Sequence, residues 1–283
     1  MHLREILFQA AERFPDREAI VDGDRRVSYR EWLDLVESLA ESLRRRGVSR
    51  GDRVAVGLRN SLEHVTVFYA LQALGAAAVP FNIRLKPERI AHVINDSGSK
   101  LAVIDGSVDE TTLGRGELFA KDFPWIVASD YPAASRTGAD WTPLEDLLAA
   151  SPGPVSLPAV DEDDLSVIIY TSGTTGLPKG VPLTHREAYD RLVTYIMSVG
   201  PTFDSGTRTL GAAPLYHTVG MHWIFLQTVL TNGTYYAEPK VGPGTAELIQ
   251  REGLTYLFGS PTLFRMLLEK DFDRPAEHVR RAA

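Results

Sequence analysis

Residues 170–180 read Tyr-Thr-Ser-Gly-Thr-Thr-Gly-Leu-Pro-Lys-Gly, and their side chains are suited to holding an anion. Thr171, Ser172, Thr174 and Thr175 bring hydroxyls that can donate to oxygens already carrying charge. Gly173 and Gly176 let the backbone turn its N–H groups inward and allow close approach. Lys179 adds a full positive charge just past Pro178. The guest that fits this chemistry is a polyphosphate. A cluster of Gly, Ser, Thr and Pro between apolar runs is also how a plain surface turn reads. The order departs from the Walker pattern, in which lysine directly follows the last glycine; here Lys179 follows Gly176 by three residues.

The elements that must position this loop are legible on both sides. Leu165, Val167, Ile168 and Ile169 form a short β-branched run that reads as a buried strand, and residues 180–183 read as the returning strand. Upstream, Leu3, Ile6, Leu7, Ala10 and Ala11 recur at helical spacing until Pro15. Residues 19–21 and 26–28 flank Asp22-Gly23-Asp24 as a hairpin. Ser28 with Glu31 is a capping box for a helix whose apolar face is Trp32, Leu35, Val36, Leu39 and Leu43. Strands are expected at 54–56, 76–79 and 101–104. Between them, Asn60 is expected to cap one helix and Pro87 to open another. Downstream come a helix at 186–197, a strand at 207–212, a helix at 219–230, a strand at 233–237, a helix at 246–251, an extended segment at 255–258 and a helix from Pro261.

Alternating strands and helices of these lengths predict an α/β fold with layered, mostly parallel sheets. The pattern weakens over 106–158, and Ser151 to Pro158 is the most linker-like stretch. The expected division is therefore a first α/β lobe at 1–158 and a second, carrying the loop, at 159–283.

Composition narrows the function. A chain of 283 residues with 44% hydrophobic and 24% charged residues can bury a sizeable core. The net charge of −7 argues against general nucleic-acid binding, which needs a basic face; the run Arg44 to Arg46 falls at a helix end, where cations complement the dipole. Absence of cysteine excludes disulfides, a thiolate nucleophile and cysteine-ligated metal. The N-terminus lacks a signal-peptide core. The stretch 71–81, broken by Gln72, Gly75 and Pro80, is too short to span a bilayer. The chain reads as cytoplasmic.

The stretch DLSVIIYTSGTTGLPKGVPLTH, 164–185, resembles without a gap the phosphate-binding signature of the adenylate-forming (AMP-binding) superfamily. That superfamily includes acyl-CoA synthetases, aryl-CoA ligases, luciferases and peptide-synthetase adenylation domains. GAAPLYHTVG (211–220) and YLFGSPTLFRML (256–267) look like its second and third segments, and AERFP, SYREW, GDRVAV and ALGAAAVPFN match upstream. The LYH, GTY and PT segments look most like aryl-CoA ligases of the benzoate and halobenzoate type.

The resemblance implies two steps: a carboxylate attacks the α-phosphorus of Mg-ATP, then a thiol, commonly that of coenzyme A, takes the acyl group. It assigns Thr171, Ser172, Gly173, Thr174, Thr175, Gly176 and Lys179 to the phosphates. His217, lying between an expected strand and helix where open α/β sheets hold ligand groups, would orient the substrate carboxylate. Lys179, Thr174 and His217 are the catalytic candidates. Thr194, His217, Thr218, Val219 and Phe258 are candidates for the acyl pocket, with Met221 and Trp223 near it; His222 is left as pocket wall or core. Thr194 stands where aryl-CoA ligases tend to carry an aromatic residue, which counts against a plain aryl substrate. The implied partner is a small carboxylic acid, and a homodimer is among the states left open.

Family segments for adenine and magnesium, for ribose, and the C-terminal domain with its lysine have no counterpart here. No metal ligand is assigned. The chain is therefore expected to be the N-terminal fragment of an acyl- or aryl-CoA ligase, inactive alone. The alternative is a short non-catalytic protein of the same fold that binds an acyl group or phosphate, or serves as a scaffold.

Overall fold

In the computed structural model, the reciprocal capping box forms at the start of the second helix. The Ser28 amide donates to Glu31 Oε2 at 2.7 Å and the Glu31 amide to Ser28 Oγ at 3.2 Å. The structure describes residues 1–108, 123–128, 141–149, 156–171, 176–199, 203–238, 241–242, 244–259, 261–268 and 280–281. Helix α1 (Leu3–Arg13) is followed by the hairpin β1 (Glu18–Asp22) and β2 (Arg25–Ser28), then by α2 (Tyr29–Arg45). Gly23, at φ 60°, makes the hairpin's tight turn. Trp32, Val36, Leu39 and Leu43 are fully buried along one face of α2, as their spacing predicts, whereas Leu35, expected with them, is half-buried at the edge of that face.

The chain divides into two compact units of interleaved segments. The first comprises Met1–Arg4, Asp34–Arg59 and Glu63–Ala188; the second, Glu5–Leu33, Asn60–Leu62 and Tyr189–Ala283. Residues 165–171 and 179–184, which sequence reading assigned to the second lobe, are strands of the first unit's sheet. The β1–β2 hairpin, assigned to the first lobe, belongs to the second unit's sheet. Backbone pairing decides this, because strands distant in sequence pair edge to edge.

The first unit's elements are β3 (Arg53–Gly57), α3 (Leu62–Leu74), β4 (Ala77–Pro80), α4 (Pro87–Ser97), β5 (Leu101–Asp105), β6 (Trp125–Ala128), β7 (Trp141–Pro143), α5 (Leu144–Ala149), β8 (Leu165–Thr171) and β9 (Lys179–Thr184). Among the described residues the strands order β7-β6-β5-β3-β4-β8-β9, all parallel except the antiparallel β8–β9 pair. β6, β7 and α5 fall where the sequence pattern weakened. Their runs, Trp-Ile-Val-Ala, Trp-Thr-Pro and Leu-Glu-Asp-Leu-Leu-Ala, are too short to display a period. Helix α4 ends as its sequence asks, on Gly98 in the left-handed region at φ 62°. Its Ile90, Val93 and Ile94 pack with Ala55, Val79, Ala102 and Ile104 in one core.

The second unit continues α6 (His185–Val199), which begins in the first, and adds β10 (Arg208–Gly211), a π-helix (Val219–Leu226), α7 (Gln227–Leu230), β11 (Thr234–Ala237), α8 (Thr245–Arg251), β12 (Tyr256–Leu257), α9 (Pro261–Leu268) and β13 (Arg280–Arg281). Its described strands order β13-β12-β10-β11-β1-β2, parallel apart from the hairpin. α6 opens on a second reciprocal box, the Thr184 amide to Glu187 Oε2 at 2.9 Å and the Glu187 amide to Thr184 Oγ1 at 3.2 Å. The continuous helix expected over 219–230 is instead π-wound through Leu226 before it becomes α-helical. Met221, His222, Ile224, Phe225 and Leu226 are all buried there.

Candidate functional site

In the first unit the candidate phosphate site is a hairpin end. β8 alternates: Val167 and Ile169 are buried with Leu183, while Ile168 and Tyr170 pack on the core that holds α4. Its start is fixed by a bidentate pair, Arg50 Nε to Asp164 Oδ2 at 2.6 Å and Nη2 to Oδ1 at 2.9 Å. A buried exchange follows, with Ser166 Oγ donating to Gln72 Oε1 at 2.8 Å and Gln72 Nε2 to the Ser166 carbonyl at 3.2 Å. At the far end Thr171 is the register partner of Lys179. Both are exposed, as is Gly176. The structure thus brings Thr171 and Lys179 side by side where the strand leaves the sheet. Ser172, Gly173, Thr174 and Thr175 lie outside the described residues.

Two side chains of α4 meet this hairpin. Tyr170 Oη donates to Asp96 Oδ2 at 2.6 Å, and His92 Nε2 lies 2.9 Å from the Pro178 carbonyl, to which it donates. The His92 and Tyr170 rings meet edge-on, 6.3 Å apart. Burial, then the hydrogen bond to the Asp96 carboxylate, pushes the Tyr170 phenol up. Sequence reading missed these partners. The available signal was the i, i+4 spacing of His92 and Asp96, hidden because the helix was expected to end at Ile94 and instead runs through Ser97.

In the second unit the segment after β10 carries His217. Asn60 holds it: Nδ2 donates to the Gly211 carbonyl at 2.7 Å and to that of Ala213 at 2.9 Å, while Oδ1 accepts the Leu215 amide at 3.0 Å. The expected role of Asn60 as a helix cap is corrected by this geometry. The Leu62 amide at the start of α3 is met instead by Asp22 Oδ2 at 2.9 Å. From Leu215 the chain turns, the His217 amide donating to the Pro214 carbonyl at 3.0 Å and the His217 carbonyl accepting the Met221 amide at 2.9 Å. Gly220 sits so close to this turn that a Cβ there would lie 2.2 Å from the Pro214 oxygen.

His217 itself is exposed, and Thr218 and Val219, half-buried, share its turn. Thr194 is exposed on α6 and Phe258 half-buried after β12. The neighbours of these residues carry the contacts. Tyr195 stacks on Trp223 with ring centroids 5.5 Å apart and planes 5° from parallel, and its hydroxyl lies 3.1 Å from that of Tyr256. Met221 is fully buried. His222 is core, with both ring nitrogens buried and unpartnered among the described residues. Burial, aided by the Arg191 charge, lowers its pKa to about 4. Among the described residues no group of three or more His, Cys, Asp or Glu could hold a metal ion. No described helix is long and apolar enough to cross a membrane.

Mixed, mostly parallel sheets flanked by helices define an α/β protein. The family model described as "AMP-binding enzyme" matches residues 7–282, and the chain belongs to that family. It is 32% identical to 4-hydroxybutyrate–CoA ligase 2 of Metallosphaera sedula, over 93% of this chain and 48% of that protein. It is 30% identical to 4-chlorobenzoate–CoA ligase of an Arthrobacter species, over 93% and 49%. The inhibitor-bound N-terminal domain of FACL13 from Mycobacterium tuberculosis has the same fold. It superposes with a TM-score of 0.82 at 27% identity, covering 99% of this chain and 68% of that one. The fold is that of the N-terminal domain of adenylate-forming enzymes, and the curated relatives are acyl- and aryl-CoA ligases. The chain spans about half the length of the curated relatives it matches.

Proposed function

We propose that this chain is part of an AMP-forming acid–thiol ligase. A carboxylate oxygen of a small acid attacks the α-phosphorus of ATP, the bond from that phosphorus to the bridging oxygen breaks, and pyrophosphate leaves with the electron pair. The sulfur of coenzyme A then attacks the acyl carbon of the adenylate. AMP departs with its phosphate oxygen, and the thiol proton passes to solvent. Magnesium accompanies the ATP.

The observation that carries this reading is the register pair Thr171 and Lys179 at the exposed end of β8, flanking the Ser172–Thr175 hydroxyls in a chain of this family. Charge gathering on phosphoryl oxygens is stabilised by fixed donors and cations, which Thr171, Ser172, Thr174, Thr175, the amides of Gly173 and Gly176, and Lys179 would supply. His217, exposed on a braced turn, would orient the acid's carboxylate. Thr194, Thr218, Val219 and Phe258 would line the acyl side. The relatives' names span an aliphatic hydroxyacid and a halogenated aromatic acid. The substrate proposed here is accordingly a small carboxylic acid, with the polar Thr194 favouring a substituted or aliphatic one over a plain aryl ring.

The test is pyrophosphate release by the full-length protein across a panel of carboxylic acids, with and without coenzyme A. Thr174→Ala should slow it by about a hundredfold or more, the scale of losing one oxyanion donor. Unchanged release in that variant would remove the loop from the chemistry.

A further inference from the structure

Both stems of the 172–175 segment are tied to one helix. On the β8 side, Tyr170 directly precedes Thr171 and bonds Asp96; on the β9 side, Pro178 directly precedes Lys179 and its carbonyl takes the His92 N–H. His92 and Asp96 are four residues apart, so they stand one above the other on a single face of α4. We propose that His92 and Asp96 are positioning residues that hold Thr171 and Lys179 at the separation and orientation needed to receive the terminal phosphates of ATP. This rests on the function proposed above.

The arrangement acts as a clamp because its base is rigid and its jaws are on different strands. α4 is anchored through buried Ile90, Val93 and Ile94 in the same core that receives the Ile168 and Tyr170 side chains. Across the hairpin, the Tyr170 ring lies over Gly180, its register partner, where an added Cβ would meet the ring at 3.0 Å. Glycine there lets the ring cross the neighbouring strand and reach Asp96. The His92 ring fills the space beside it, edge to face.

Asp96 is exposed and His92 half-buried. One exposed and one partly buried polar contact of this kind add little to global stability. Their effect is local, on where two strand ends sit. Displacement of a binding group by about an ångström is enough to cost up to about a hundredfold in a positioned reaction.

The experiment compares the full-length protein with His92→Ala, Tyr170→Phe, their double variant, and His92→Gln, whose amide can still donate to the Pro178 carbonyl. Two readouts are taken. In the first, limited trypsin digestion follows cleavage after Lys179 against cleavage after Lys100, which lies beyond the C-terminus of α4. The double variant should be cut faster after Lys179, by roughly tenfold, with the Lys100 site unchanged and His92→Gln close to the parent. In the second, pyrophosphate release should show the KM for ATP raised by roughly tenfold or more in the double variant while the KM for the acid stays put.

Cleavage rising equally at both sites, or at neither, overturns the proposal. So does an ATP KM equal to the parent's, or a His92→Gln variant as impaired as His92→Ala. A parent protein that releases pyrophosphate with no acid at all defeats the proposed function instead, and the trypsin arm then decides by itself whether α4 holds the loop stems.

Discussion

Replacing Asn60 by alanine tests whether the His217 segment is held from a distance. The cost can be worked bond by bond. Leu215 is 1% exposed, so its amide, now donating to Asn60 Oδ1 at 3.0 Å, would be left buried without a partner, a penalty of about 1–3 kcal/mol. The Gly211 carbonyl keeps a second donor, the Glu238 amide at 3.3 Å. The Ala213 carbonyl belongs to a half-buried residue and can turn to water. Losing those two bonds therefore costs only about 0.5–1.5 kcal/mol each. The sum is roughly 2–6 kcal/mol, concentrated between β10 and the π-helix.

Two assays check it. Urea unfolding should show that loss in stability, and amide hydrogen exchange should show Leu215 exchanging much faster while amides of β3 and β5 are unchanged. Asn60→Asp sharpens the test. It keeps an acceptor for Leu215 but sets a carboxylate oxygen against two carbonyl oxygens, so its deficit should grow as pH rises and the group ionises. A loss below about 0.5 kcal/mol, the scale of an ordinary surface substitution, with Leu215 still protected would refute the reasoning.

Gly220→Ala should be at least as damaging, since the new Cβ meets backbone oxygens of Pro214 and Ala213 at 2.2 and 2.6 Å and neither can step aside cheaply; a thermal melt indistinguishable from the parent's would rule this out. The buried histidines His64, His185 and His222 each have folded pKa values lowered to about 4, chiefly by burial. Between their unfolded value near 6.5 and about 4 the unfolded chain binds protons that the folded chain does not. Stability should therefore fall as pH drops through that window, by up to about 1.4 kcal/mol per pH unit for each histidine. His222→Phe removes one such group together with two unpartnered buried nitrogens. Its gain in stability should be larger at pH 5 than at pH 8, and equal gains at the two values would contradict the assignment.

Sequence alone determined whatever closes within a few residues. The capping box at Ser28 and Glu31, the turn at Gly23 and the two strands on either side of residues 172–175 are written in neighbouring side chains, because a short hydrogen-bonded turn needs no distant partner. The long signature from Asp164 to His185 was equally legible, and with it the family.

The tertiary structure decided what depends on which surfaces meet. Asn60 carries the same side chain whether it caps a helix or reaches residues 151–155 positions away, and only the folded path of the backbone selects the second. The same holds for β8 entering the sheet beside β4, for the π-winding after His217, and for the pairing of His92 and Asp96 with the stems of the loop. Local propensity sets which short elements form. Long-range hydrogen bonds and packing, whose partners no local pattern names, set where their side chains end up.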